Sequence, residues 1–513
     1  MPPGAELQDA SLRDRLLFGV ALWGLGSFAV SVAGRITYPF DLEWMESGMM
    51  SHVLRLSEGR PLYGPPSLDF VPFAYAPLYP AVAAALSPLT GVSYAAARAV
   101  SVAGFLLALV AAYAFLRGER VPRAVALAGA ALPAAAFAPT GAWYDLVRVD
   151  SLFLGLLSAG VFLLWRGRHR DGQVAVAALV LVAAAFTKQT AAPFIAFVTL
   201  AFVLVDRRRL GVLAAVFALA GGGAYAWLRW RSQGWFWTYT VGMHAQHEFD
   251  RWVFWGATPL RVALLLGPAL AFVPWMLARR VRGGFAYASG LAAVALVVAM
   301  LGAGPIWAYH NALIPAVYFG AVAVALAVAR ALEAPNLPGW TPTVAPLAMA
   351  ASVAAAGGGL VALVDRAWPS LGLALPTAYD PRAVWPGPED LGRGQALVDR
   401  LRAEPGAVFV PFHPFYAHRA GKTATLHAMN LADLNNAGLG TPRELVEAIR
   451  GRRFSLIVLD EEDGPGSDDE RLRQAVAQFP RLAGHYELVE RIEGPRTISG
   501  APVRPRYLLR PKR

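Results

Sequence analysis

Three carboxylates crowd the stretch YPFDLEWMESG: Asp41, Glu43 and Glu46. Carboxylates so placed either cap a helix or do acid–base chemistry. A helix from Asp41 to about Ser57 would align Leu42, Met45, Met49, Val53 and Leu56 as one apolar stripe. Asp41 would then be its N-cap and Glu43 would favour its first turn. Glu46 falls beyond that turn and beside the stripe, so capping explains it least. A second stretch, YDLVRVDS, holds Asp145, Arg148 and Asp150 at the mouth of an apolar run. Asp150 with Ser151 is a possible cap, and Asp–Arg pairing could merely pin the loop. Arg148 would be partly desolvated there, and ionisable groups at membrane depth mark functional sites. A third, FTKQTAAP, sets Lys188 and Gln189 between two short apolar runs. Lys188 is thereby held at an apolar edge, where lysine either snorkels or meets a phosphate. HAQHEFD puts His244 and His247 on one helical face near Glu248 and Asp250. Two histidines without a third placed ligand are a weak metal signal, and an exposed polar loop is the preferred reading. His310 and Asn311 stand at the mouth of a later apolar run, while His413 and His418 have no informative spacing.

The elements that must position these residues are apolar helices. Of 513 residues, 56% are hydrophobic and only 16% charged, with mean hydropathy +0.44. A soluble chain has roughly a quarter of its residues charged. Apolar runs lie near 16–34, 95–116, 122–139, 150–166, 172–187, 190–205, 210–228, 258–278, 284–303, 310–330 and 342–364. A bilayer core needs roughly 20 apolar residues per helix. The expectation is a mainly α polytopic membrane protein with about eleven transmembrane helices. The net charge of +11 comes with arginine clusters between the runs, at Arg117–Arg123, Arg166–Arg170, Arg207–Arg209 and Arg279–Arg282. The positive-inside rule makes that side cytoplasmic and leaves nucleic-acid binding without support. The N-terminus is then expected inside a plasma (inner) membrane and the C-terminal part outside. This parity requires that 73–90, with its several prolines, lie at the interface or re-enter rather than cross. The chain has no cysteine, so disulfides and thiol chemistry are excluded.

Beyond residue 364 the composition changes. AVFVP (407–411) and FSLIVLD (454–460) read as buried strands. DLGRGQALVDRLRAE and TPRELVEAIRGRR read as amphipathic helices, the second with Thr441 as N-cap. We expect a transmembrane region over 1–364, with a first outer loop at about 35–94, a linker over 365–390 and a small α/β unit over 391–513.

The polar residues of the outer loops collect on one side, accompanied by aromatics such as Trp44, Tyr75 and Trp143. Such rings form an interfacial belt and can also stack on sugars. A first span, an outer loop opening with acids, then EGRPLYGPPSLDFVPFAYAPLYP and AAARAVS, resembles the GT-C superfamily of membrane glycosyltransferases. The layout is similar to the protein O-mannosyltransferase and lipid A aminoarabinose-transferase branch, as are Arg148-x-Asp150 and the TKQT turn.

The resemblance covers roughly residues 15–330 and implies transfer of a sugar from a polyprenyl-phosphate donor to a lipid, glycan or protein acceptor. It implies a first-loop acid as catalytic base, carried onto Asp41, with Glu43 and Glu46 as alternatives because relatives have adjacent Asp-Glu where this chain has DLE. It further implies a second acid at Asp150 and a cation on the lipid phosphate at Lys188. Arg148, Gln189, His310, Asn311 and Tyr75 complete the candidate substrate-binding set. No cofactor is called for, since phosphate leaves readily; a divalent metal is compatible but not implied. The competing readings are a transporter or lipid flippase for a polar glycolipid, and a scaffold displaying the α/β unit. The first requires polar groups at mid-membrane and broken helices, whereas the mid-span positions here are almost all Ala, Val, Leu and Gly.

Overall fold

The computed structural model describes residues 11–243, 248–306, 308–334, 338–462 and 466–513. Each of the eleven apolar runs is helical, but they differ in length. Among the described residues, six helices are long and apolar enough to cross a membrane: Leu12–Ala33, Tyr94–Gly118, Asp150–Gly167, Arg207–Arg231, Gly284–Ala303 and His310–Glu333. Two bent pairs, Val253–Leu266 with Pro268–Ala278 and Thr341–Ala355 with Gly359–Ala367, raise the number to eight if each is one span. The first pair bends by 102°. Gly267 takes φ +66° at the bend and Pro268 follows it, so neither residue favours a continuing helix. The remaining runs are shorter helices, Arg123–Ala135, Asp171–Thr187 and Gln189–Leu204. The 73–90 segment contributes only the short apolar helix Leu78–Thr90.

We label the first elements α1 (Leu12–Ala33), α2 (Glu46–Ser57), α3 (Leu78–Thr90), α4 (Tyr94–Gly118), α5 (Arg123–Ala135), α6 (Asp150–Gly167) and α7 (Asp171–Thr187). Helix α4 starts where Ser93 Oγ accepts the Ala96 N–H. It packs against α6 with backbones nearly touching: a Cβ on Gly155 would lie 2.2 Å from Gly104 O, and one on Gly104 2.6 Å from Leu152 Cα. Small residues at such a crossing let apolar helices approach closely. The contact fixes the outer end of α6, and so Asp150, relative to α4. Ser101 of α4 adds hydrogen bonds to Leu146 O at 2.5 Å and Arg148 O at 3.3 Å, holding the loop that precedes α6.

The chain after the last helical pair folds around a four-stranded sheet of β1 (Ala407–Phe409), β2 (Phe454–Glu462), β3 (Tyr486–Arg491) and β4 (Val503–Pro511). Their order is β1-β2-β4-β3, with β1 parallel to β2 and the other pairs antiparallel. Helix Asp390–Ala403 falls where expected, but Arg443–Arg450 starts after Pro442. Thr441 is therefore not its cap; its hydroxyl donates to Asn435 Oδ1 instead.

Candidate active site

Helix α2 begins at Glu46, not at Asp41, and Met45 precedes it without a side-chain cap. Asp41 to Met45 instead form a buried loop, and its three acids have three different fates. Glu46 turns back and accepts the Leu42 N–H at 2.7 Å, the Val147 N–H at 2.7 Å and two bonds from Arg98 at 3.0 and 2.7 Å. Arg98 spends its other donors on the carbonyls of Arg35, Tyr38 and Phe40. All five guanidinium N–H groups are thus used. This closed network holds the first outer loop against α4 and leaves Glu46 no free oxygen for chemistry.

Asp41 is equally engaged. The Tyr94 hydroxyl donates to its Oδ1 at 2.6 Å, and His413 Nδ1 meets its Oδ2 at 2.5 Å. His413 Nε2 meets Asp460 Oδ2 at 2.7 Å. Burial pushes the His413 imidazolium down, but Asp460 and Asp41 on its two ring nitrogens outweigh it and raise its pKa to about 10. Asp41 therefore joins the first loop to the sheet region through an ion, and has neither a free oxygen nor exposure to solvent.

Glu43 is different. Its side chain is wholly buried, and among the described residues neither carboxylate oxygen makes a hydrogen bond of good geometry, the nearby Met45 N–H acting only to lower its pKa. Arg148 Nη1 stands 3.6 Å from Glu43 Oε2. Burial drives the Glu43 pKa up to about 8, against the lowering influence of Arg148. A buried, unpartnered polar group is costly and rare, and its retention marks a functional candidate. Arg148 donates to the Tyr75 hydroxyl at 3.0 Å, while its Nε and Nη1 also lack hydrogen-bond partners. It lies between the rings of Phe73, Tyr75 and Trp143.

Trp143 connects this pair to the other half of the site, since its Nε1 donates to Asp150 Oδ2 at 3.0 Å. Asp150, the first residue of α6, does not cap that helix. Its Oδ1 accepts from Lys188 Nζ at 2.7 Å and Asn311 Nδ2 at 3.1 Å. Lys188 follows the last residue of α7, where the chain turns extended. Its side chain is 19% exposed, against 3% for Arg148 and 0% for Glu43, so it is the open end of the cluster.

The remaining expectations sort by contact. Tyr75 and Asn311 belong to the cluster. Gln189 spends its amide N–H groups on Ala74 O and Thr240 O and works as a tie between loops. His310 lines a separate cavity of about 290 Å³ with Asp250, Arg261 and Tyr309. His244 and His247 lie outside the described residues; Asp250 accepts the Trp252 and Val253 N–H groups as a local cap. No group of three or more His, Asp or Glu among the described residues is arranged to hold a metal ion.

No family model and no curated protein matches the sequence. Solved structures do. Crystal structures of ArnT from Cupriavidus metallidurans, in the apo state and bound to undecaprenyl phosphate, superpose with a TM-score of 0.57 each. They share 14% and 16% identity with this chain, covering 96% of it and 97% of theirs. The chain has the GT-C fold. A crystal structure of the Archaeoglobus fulgidus oligosaccharyltransferase aligns with TM-score 0.47 and 12% identity, over 95% of this chain and 73% of that one.

Within this GT-C fold, sequence reasoning misses Arg98, takes Trp143 only as one of the outer aromatics, and gives no role to His413 and Asp460. One signal points to the last two. His413 and Asp460 sit at or just beyond the C-terminal ends of the parallel neighbours β1 and β2. Strand ends of that kind are where open α/β sheets present functional side chains.

Proposed function

We propose that the protein is an integral-membrane glycosyltransferase that moves a sugar from a polyprenyl-phosphate donor to an acceptor on the extracytoplasmic face. The observation that carries this reading is Glu43, a buried carboxylate beside Arg148 whose oxygens make no well-formed hydrogen bond among the described residues, linked by way of Trp143 and Asp150 to the partly exposed Lys188. Glu43 takes the proton of the acceptor hydroxyl, the acceptor oxygen bonds to the anomeric carbon, and the bond from that carbon to the phosphate oxygen breaks. Its electron pair leaves with the polyprenyl phosphate. Lys188 and Arg148 offset the charge that develops there, which is where fixed cations accelerate a reaction most. Attack opposite the leaving group inverts the anomeric centre. Asp150 orients Lys188. Asp41, the first choice from sequence, becomes a structural anchor, and the base is Glu43.

The GT-C fold shared with an ArnT whose structure holds undecaprenyl phosphate supports the choice of donor. The arginine clusters between apolar runs support a cytoplasmic N-terminus and an outward-facing site. The test is transfer of label from polyprenyl-phosphate sugars in membranes carrying wild type, Glu43→Gln, Asp41→Asn or Lys188→Ala. Loss of transfer in Glu43→Gln with the protein still folded is the expected result. Undiminished transfer in that variant would remove Glu43 as the base.

A further inference from the structure

The strand region reaches back into the site through one loop. Residues 497–501, between β3 and β4, lie on the acid loop, with the N–H groups of Ile498 and Ser499 both donating to Leu42 O at 2.9 Å. Ser499 Oγ accepts from Arg35 Nη2 at 3.0 Å and donates to Ala142 O at 3.2 Å. Arg35 is itself paired with Asp145 at 2.7 Å, both side chains fully buried. The loop is therefore anchored at one side to the first outer loop and at the other to the segment before α6. Between these anchors sits Gly500 at φ +70°, in the left-handed region that favours glycine. A Cβ built there would lie 3.1 Å from Glu43 Cγ, 3.6 Å from Glu43 Oε1 and 3.3 Å from Trp143 Cζ3.

We propose that loop 497–501 is one wall of the reaction pocket, and that Gly500 is a positioning residue that reserves the space beside Glu43 Oε1 for the acceptor hydroxyl. The oxygens of Glu43 lack a well-formed donor, and a Cβ on Gly500 would stand 3.6 Å from Oε1, so the space beside that oxygen borders Gly500. A Cβ there presses on Glu43 Cγ and Trp143 by a few tenths of an ångström and takes up the contact space beside Glu43 Oε1 that the hydroxyl needs. The strand region thus acts in the reaction through the shape of one loop. Its role in transfer rests on the transferase reading, while its effect on the carboxyl group does not.

Two measurements on Gly500→Ala in nanodiscs test this. The first is the infrared carboxylic-acid band that Glu43→Gln abolishes, followed against pH. A methyl group beside Oε1 strengthens desolvation, so the titration midpoint is expected to rise relative to wild type. The second is transfer, expected to fall about tenfold in kcat, with binding of undecaprenyl phosphate unchanged. A merely structural glycine would alter stability without moving the Glu43 band. Should Gly500→Ala not fold, Gly500→Asn replaces it, since Asn tolerates left-handed backbone best among the larger residues. An unmoved midpoint with wild-type transfer overturns the wall and leaves the transferase reading intact. A moved midpoint in a protein that transfers nothing, wild type included, upholds the contact of Gly500 with the carboxyl group and overturns the transferase reading together with the loop's role in it.

Discussion

Glu43, Asp41 and Glu46 share a loop and a charge but differ in what their oxygens touch. Glu46 has Arg98 and two backbone N–H groups, Asp41 has Tyr94 and His413, and Glu43 has no well-formed hydrogen bond among the described residues. Only the last can accept a substrate proton without first breaking a well-formed buried hydrogen bond; its contact with Arg148 at 3.6 Å is a looser ion pair. Glu43→Gln is therefore expected to lower kcat by about 10²- to 10⁴-fold, the usual worth of a positioned general base. The pH dependence has a definite sign. Burial raises the Glu43 pKa to about 8, and the base works only when deprotonated. In wild type, kcat/KM should climb as pH rises through about 8 and level off above it. A pH–rate profile that stays flat from 6 to 9 would contradict this assignment, since that range is about three decades of proton activity spanning the group's pKa.

At the scale of elements, the Glu46–Arg98 pair is what fastens the first outer loop to α4. It is fully buried, so removing one partner strands the other charge. Arg98→Met is expected to cost roughly 3–5 kcal/mol, read as a lower unfolding temperature of the purified protein in detergent. Adding Glu46→Gln to Arg98→Met should recover part of that loss, because the stranded charge is gone. The Gly104–Gly155 contact is a second such fastening. A methyl group on Gly155 would meet the Gly104 carbonyl at 2.2 Å. Gly155→Leu should push α6 from α4 and shift Asp150 with it, lowering transfer as well as stability, with both read on the same purified sample.

Across the whole molecule, Asp41, His413 and Asp460 tie the membrane-embedded helices to the sheet region. His413 has its pKa raised from 6.5 to about 10, so its ion-pair contribution is fully present below about 6.5 and is lost as pH rises through about 10. His413→Leu leaves two buried carboxylates without their shared cation. Its unfolding temperature should lie below that of wild type at pH 7, and the gap should narrow by pH 10.5. A gap that does not change with pH would mean the ring acts by packing alone, against Tyr416 on which it stacks.

Much of this protein was legible from its residues in order. The eleven apolar runs all became helical, because hydrophobic length is a local property, although among the described residues only six to eight spans are long enough to cross a membrane. DLEWMES, YDLVRVDS and TKQT named the three segments that supply the site, because charge at an apolar edge is also visible locally. Partnership was not legible. Which of three acids is left without a well-formed hydrogen bond depends on Arg98 on α4, which takes Glu46, and on His413, some 372 positions from Asp41. The helix expected at Asp41 failed for the same reason: Glu46, bound to Arg98, takes the Leu42 N–H, and the loop stays a loop. Sequence fixes which groups carry charge and which stretches seek the bilayer. Hydrogen bonds and ion pairs are settled by distances of a few ångströms between groups that only tertiary packing brings together, so the proposal of Glu43 over Asp41 as the base comes from the fold.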